Sequence, residues 1–293
     1  MTVSLSNRLI VFFQQILPAR TIGNIIYKLS RSESRWFKNN FINVFCWLYS
    51  VKTSEAEKEI PSDYKHFNEF FTRKLQAGAR PLDQQHNSFI CPADGTIAQT
   101  GYAQQEQLLQ AKGITFSMQS LLGDTQMATN LANCAYTTIY LAPYNYHRLH
   151  MPIAGILEKT LFIPGLLYSV NARTTASVPN LYAINERLVC QFNSDHGRFA
   201  LVLVGAMNVA SISTAWEGEI FPAGDGNIVH TDFTSPSAPQ LERGAYMGHF
   251  NMGSTIVVLA PPGKLIWNSS LQTGNTVQVG QRIGQLSENY AAQ

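Results

Sequence analysis

Charge is what this sequence has least of. Asp, Glu, Lys and Arg make up 14% of its 293 residues, against roughly 25% in an average soluble protein. Much of the surface is therefore neutral or apolar, as suits a protein that works at an interface. Cysteine is sparse too. Cys46, Cys91, Cys134 and Cys190 stand far apart in apolar or strand-like surroundings, so buried free thiols in a reducing cytosol are expected, not a disulfide framework or a paired-cysteine zinc site. Long apolar runs are missing: residues 41–51 come nearest, but Asn43 interrupts them, and a spanning helix needs about 18. No signal peptide is expected, because the short run 9–13 is followed by Gln14-Gln15 and Pro18 without a small-residue cleavage site.

What is present is a chain with 45% hydrophobic residues, enough for one large domain or a domain with an appendage. Its overall charge of +2 hides an asymmetry, since Arg8, Arg20, Lys28, Arg31, Arg35 and Lys38 face only Glu33 within residues 1–50. That part is +5 and the remainder −3. Apolar positions recur there at helical spacing (Leu9, Phe12, Phe13, Ile16, then Ile22, Ile25, Ile26). This predicts a pair of basic amphipathic helices, able either to lie on an anionic membrane or to cover the protein's own core. Pro61-Ser62-Asp63 then predicts a helix start with Ser62 or Asp63 as N-cap, running through Leu75 to end near Gly78.

From Ile90 onward the texture changes to short β-rich runs between Gly, Pro and Asn, at 136–141, 155–163, 188–192, 199–204, 209–214 and 255–259. Asn193-Ser194-Asp195-His196-Gly197 predicts a hairpin, and residues 118–122 a minor helix. The fold class is therefore α+β. Residues 1–85 are expected as an N-terminal helical region, the candidate for membrane association, and residues 86–293 as a β-rich body, the candidate catalytic part, mostly antiparallel, as a barrel or sandwich.

Three stretches carry polar residues that packing alone does not explain. Cys91-Pro92-Ala93-Asp94-Gly95-Thr96 sets an acid in a tight turn opening a strand. Tyr146-His147-Arg148-Leu149-His150-Met151-Pro152 holds two histidines three apart, and imidazole is the side chain best suited to proton transfer near neutral pH. Gly253-Ser254-Thr255 puts a hydroxyl one residue after a glycine carbonyl, just before an apolar run. An acid, an imidazole and a serine are the parts of a nucleophilic relay.

Together these three motifs resemble phosphatidylserine decarboxylase of the bacterial, membrane-associated type. The likeness extends through Phe67-Asn68-Glu69-Phe70-Phe71, Leu109-Gln110-Ala111-Lys112-Gly113, Val178-Pro179-Asn180-Leu181, Asn185-Glu186-Arg187 and Val204-Gly205-Ala206, and so covers nearly the whole chain in order. Met252 departs from the leucine more usual in that family, with little effect expected because the two side chains are similar in volume and unbranched at Cβ.

The resemblance implies a proenzyme. His150, oriented by Asp94, would deprotonate Ser254, whose oxygen attacks the Gly253 carbonyl and breaks the chain into residues 1–253 and 254–293. Ser254 would become an N-terminal pyruvoyl group, the covalent cofactor, with neither pyridoxal phosphate nor metal needed. That group would form a Schiff base with phosphatidylserine and release CO2 to give phosphatidylethanolamine, a step of phospholipid biosynthesis, with His147 moving a proton. The implied partners are the lipid substrate, an anionic membrane surface and the two fragments themselves, with a homodimer left open and no nucleic acid. The implied place is the cytoplasmic face of the inner membrane, peripherally bound.

Two other classes compete. A lipid hydrolase could use Asp94, His150 and Ser254 without scission, but no Gly-x-Ser-x-Gly elbow is present and Ser254 precedes a strand-like run. A non-catalytic barrel module is suggested by Pro92-Ala93-Asp94-Gly95 and Gly280-Gln281-Arg282-Ile283-Gly284, which resemble lipoyl-type turns.

Overall fold

Among the described residues, the basic N-terminal segment holds two helices, α1 (Ala19–Ser30) and α2 (Arg35–Tyr49). They belong to a computed structural model that describes residues 19–104, 106–111, 113–207, 211–221, 226–234 and 236–287. The helical spacing at Leu9, Phe12, Phe13 and Ile16 lies outside the described residues. On α2, Lys38, Ile42 and Phe45 recur every three or four positions and form the buried face. They pack on a one-turn helix, α3 (Phe67–Phe71), through Phe41 stacked on Phe67 at 4.2 Å and Phe45 edge-on to Phe67 at 5.0 Å. The Lys38 ammonium is not stranded in this apolar layer, because it donates to the carbonyls of Pro61 (2.8 Å), Ser62 (3.1 Å) and Tyr64.

α3 is much shorter than the sequence predicts. Its cap is His66, whose Nδ1 accepts from the Glu69 N–H at 3.1 Å, and not Ser62 or Asp63. It stops at Phe71 because the following backbone turns away to pair elsewhere: Glu57 N–H donates to Lys74 O (3.0 Å) and Gln76 N–H to Glu55 O (2.9 Å).

The β body contains β1 (Gly95–Tyr102), β2 (Ala135–Leu141), β3 (Arg148–His150), β4 (Gly155–Ile163), β5 (Arg187–Ser194), β6 (Gly197–Val204), β7 (Ser211–Thr214), β8 (Gly218–Ile220), β9 (Val229–Asp232), β10 (Tyr246–Asn251), β11 (Ser254–Leu259) and β12 (Thr276–Val277). The largest sheet runs β9-β4-β5-β6-β11-β2-β1-β12, with Gln240–Leu241 beside β4. A second runs β8-β7-β10-β3, and a third joins Ser88–Ile90, Arg282–Leu286 and Leu265–Trp267. Pairing within all three is antiparallel. The large sheet stays open, since its outer strands β9 and β12 do not pair with each other, so the barrel half of the expectation gives way to packed sheets. The hairpin forms where predicted: Ser194 pairs with Gly197, whose φ of +105° closes the turn.

β11 explains its own composition. Ile256 and Val258 point into one core with Ile139 and Leu203, while Val257 and Leu259 point into another with Val189 and Val204. All four are fully buried, so both faces must be apolar and the alternation of a half-exposed strand disappears. Cys91, Cys134 and Cys190 are free and buried, and burial pushes the first two thiols up to about 12.

Candidate active site

The chain leaves the second sheet at Asn251 and enters the centre of the large sheet at Ser254. Met252 and Gly253 are the joint between the two sheets. Met252 has φ of +91° and Gly253 of +20°. For a side-chain-bearing residue such as Met252 this is a strained region costing about 1–3 kcal/mol. Ser254 then pairs through its backbone with Leu141 of β2.

Beside this joint lies a cavity of about 200 Å³. Met252 and Gly253 form part of its wall, with Phe45 and Tyr49 of α2, Phe71 of α3 and Tyr140 of β2. Among the described residues, no carboxylate and no Lys, Arg or His side chain lines it. A Cβ built on Gly253 would touch nothing within 4 Å, so the peptide borders open space.

His147 stands next to this cavity. Its ring stacks on Phe71 at 4.0 Å and its Nε2 lies 3.1 Å from the carbonyl of Ala142, the residue after the strand partner of Ser254. A carbonyl can only accept, so Nε2 carries the proton and Nδ1 keeps its lone pair. That Nδ1 is buried without a partner. Burial, and next the Arg73 charge, push the His147 pKa down to about 3 against the pull of the Pro143 and Ala142 carbonyls. The imidazole is neutral at physiological pH.

His150, three residues on, borders a separate cleft of about 380 Å³ together with Arg80, Tyr146, Arg148 and Tyr246. Its Nδ1 donates to Gly244 O at 2.8 Å, so Nε2 is the lone-pair nitrogen and accepts from the Tyr146 hydroxyl at 3.1 Å. Burial lowers its pKa, with the Gly244 carbonyl opposing. The Asp94 carboxylate also favours the charged ring, but only through space.

Asp94 therefore does not hold the His150 ring as expected. Its oxygens are occupied: Arg80 Nε donates to both at 3.0 Å, Arg80 Nη2 to one at 2.6 Å, and the Val279 N–H at 2.9 Å. The carboxylate is buried, and an unpaired buried charge would be costly, so the guanidinium takes it. Gly244 supplies the ring-orienting acceptor instead. Gly95 serves close packing, because a Cβ there would lie 2.4 Å from Tyr140 O.

Sequence reasoning passed over several groups. Asn251, the last residue of β10, is buried and accepts from Asn68 Nδ2 at 2.8 Å while donating to Ser211 (2.9 Å) and Ser213 (2.8 Å). It thus pins the strand before the joint to α3. Tyr146 and Gly244, which complete the His150 surroundings, lie four and ninety-four residues from it. Only the Tyr146 spacing was visible in a motif.

The chain is similar to known proteins along nearly its whole length. The family described as phosphatidylserine decarboxylase matches residues 67–285, and one described as PSD matches residues 9–50. A phosphatidylserine decarboxylase proenzyme of Pseudomonas putida is 43% identical over 281 residues, covering 95% of this chain and 98% of its own. Proteins of the same name from Ectopseudomonas mendocina (43% over 282 residues, 96% and 99%) and Alcanivorax borkumensis (41% over 284 residues, 96% and 97%) are similar along the same length. With the matched region containing the Gly253-Ser254 joint, both histidines and Asp94, the chain belongs to the phosphatidylserine decarboxylase family.

Proposed function

We propose that this chain is a proenzyme that cuts itself between Gly253 and Ser254 and then converts phosphatidylserine to phosphatidylethanolamine and CO2. The observation that carries this reading is the strained joint at Met252-Gly253 beside an apolar cavity, followed by a strand embedded at the centre of the largest sheet. Ser254 Oγ attacks the Gly253 carbonyl, and the peptide becomes an ester. Elimination breaks the ester's C–O bond, so Gly253 keeps a carboxylate and Ser254 becomes a dehydroalanine. Addition of water and loss of ammonia then leave a ketone.

In this reading His150, whose Nε2 accepts from Tyr146 in a cleft apart from the joint, gives up that bond to take the hydroxyl proton on Nε2, while the Gly244 carbonyl holds the other nitrogen and stabilises the charged ring. Asp94 contributes its field and, through Val279, ties the large fragment to the small one. The residues at the joint fit a pyruvoyl group, since Gly253 faces open space and no lysine among the described residues lines the cavity to compete for the ketone. Such a ketone supplies an electron sink for decarboxylation. The apolar cavity strips water from the substrate carboxylate, whose charge spreads as CO2 leaves. His147, neutral and beside the cavity, handles the proton that replaces it.

The substrate reaches this cavity from a bilayer. α2 presents its buried face and the cavity residues Phe45 and Tyr49 on one side, and Trp36, Val44, Trp47 and Leu48 outward, with Trp36 78% and Trp47 80% exposed. No helix among the described residues is long and apolar enough to cross a membrane, and such a stripe suits a helix lying in the headgroup layer. In this reading the protein sits peripherally on the cytoplasmic face of the inner membrane.

Burying one large apolar side chain is worth roughly 1.5–3 kcal/mol. Trp36→Ser with Trp47→Ser should therefore lower sedimentation with anionic vesicles at least about tenfold while leaving self-scission intact. Undiminished vesicle binding would contradict the orientation. The activity itself is tested with carboxyl-labelled phosphatidylserine in vesicles. Label should appear as CO2, and a carbonyl reagent such as phenylhydrazine should stop it; release of fatty acid or free serine instead would mark a hydrolase.

A further inference from the structure

Asp94 and His150 do not meet, and Arg80 is the residue that keeps them apart. Both oxygens of the buried carboxylate are filled: Oδ1 accepts from Arg80 Nε at 3.0 Å and from the Val279 N–H at 2.9 Å, and Oδ2 from Arg80 Nε at 3.0 Å and Nη2 at 2.6 Å. A carboxylate offers about four lone-pair sites, so a further donor enters by displacing one of these. His150 is equally occupied, with Nδ1 on Gly244 and Nε2 on Tyr146.

Arg80 is itself held on other sides. Nη2 also donates to Glu55 at 2.9 Å and Nη1 to the Ala79 carbonyl at 2.7 Å. Glu55 is fixed in turn by Lys52 and by the Gln76 N–H on its own carbonyl at 2.9 Å. The Arg80 side chain is 11% exposed, and it lines the same cleft as His150. Burial opposes its charge, but Asp94 and Glu55 more than offset this and raise its pKa. A guanidinium so placed is a permanent cation whose rigid fork grips a carboxylate as an ammonium cannot.

We infer that Arg80 is a positioning residue of self-scission: by gripping Asp94 on the wall of the His150 cleft, it shields the imidazole from that charge and leaves His150 a free base. The inference rests on the reading of His150 as the group that takes the Ser254 proton. Facing the ring are Tyr146, Tyr246 of β10, Arg148 of β3, and Lys74 and Arg80 across the cleft. Burial lowers the His150 pKa and Arg148 adds to this, while the Gly244 carbonyl and Asp94 oppose them. Among the described residues, Asp94 is the one carboxylate that acts on the ring. A base works in its neutral form, so scission rises with pH until the ring is deprotonated. Unshielding Asp94 favours the protonated ring and moves that rise to higher pH.

The test reads the ring and the reaction separately. In the full chain carrying Ser254→Ala, which does not cut itself, the His150 imidazole is titrated by NMR, its signal assigned by its loss in His150→Ala. Arg80→Gln keeps a donor and drops the charge, and should raise the His150 pKa by about one pH unit; Arg80→Lys should leave it near the wild-type value. Asp94→Asn should lower it, and adding Arg80→Gln to Asp94→Asn should restore it. With Ser254 intact, Arg80→Gln should cut itself up to about tenfold more slowly below the rise, since one pH unit is tenfold in neutral ring, and at the wild-type rate on the plateau. Damage to the fold alone would lower both. A His150 pKa that stays or falls in Arg80→Gln overturns the inference, as does a scission profile lowered equally at every pH. If Arg80→Gln does not fold, the double variant decides, because it leaves neither Asp94 nor Arg80 charged: failure to restore the pKa overturns the inference. If the wild type did not cut itself, the proposed function would fail, while the titration would still read whether Arg80 shields the ring.

Discussion

Ser254→Ala protein should remain one chain of 32.6 kDa with no decarboxylase activity, whereas the wild type should separate into two fragments on a denaturing gel and travel as one particle on a native column. The first half follows from chemistry, since alanine has no oxygen to attack the Gly253 carbonyl. The second follows from the fold. β11 opens the small fragment and is hydrogen-bonded on both sides, to β2 across six residue pairs and to β6 across five. Its four aliphatic side chains, Ile256 to Leu259, are fully buried, each worth roughly 1.5–3 kcal/mol, so breaking one peptide bond at its edge leaves the fragment in place. Separation of the fragments without denaturant would contradict this picture, and so would scission of the Ser254→Ala protein.

The second large effect divides the two imidazoles. His150→Ala should slow scission by about 10²–10⁴-fold, the usual worth of a positioned general base, while His147→Ala should permit scission and lose turnover by a comparable factor. Asp94→Asn should also slow scission, and because it removes the charge facing Arg80 in a buried pair it should lower the melting temperature. His150→Ala leaves that pair untouched, so the two variants separate loss of chemistry from loss of fold. The prediction is exacting because His147 is the imidazole beside the joint, through Ala142 and Phe71, while His150 faces the separate cleft. Fast scission in His150→Ala with none in His147→Ala would exchange the two roles.

Much of the body was legible beforehand because its strands are short, apolar and bounded by turn residues: the runs at 136–141, 155–163 and 255–259 became β2, β4 and β11 almost residue for residue. The helix predicted from Pro61 to near Gly78 shrinks to one turn, Phe67–Phe71. Its local pattern was helical, but backbone pairing with residues 55–57 overrode it, a non-local effect that no window of sequence contains. The site shows the same division. The motifs bearing Asp94, His147, His150 and Ser254 stood out, since polar residues sat where packing gave no reason for them. Their partners did not. Arg80 on Asp94 and Gly244 on His150 are brought in from fourteen and ninety-four residues away.

The central claim is that main chain becomes prosthetic ketone, and the mass of the small fragment reads it directly. A fragment beginning at residue 254 and lighter by one ammonia than the same peptide with an intact N-terminal serine is the result this account predicts. A serine-terminated fragment of full mass, or an uncut chain that still decarboxylates phosphatidylserine, would contradict it.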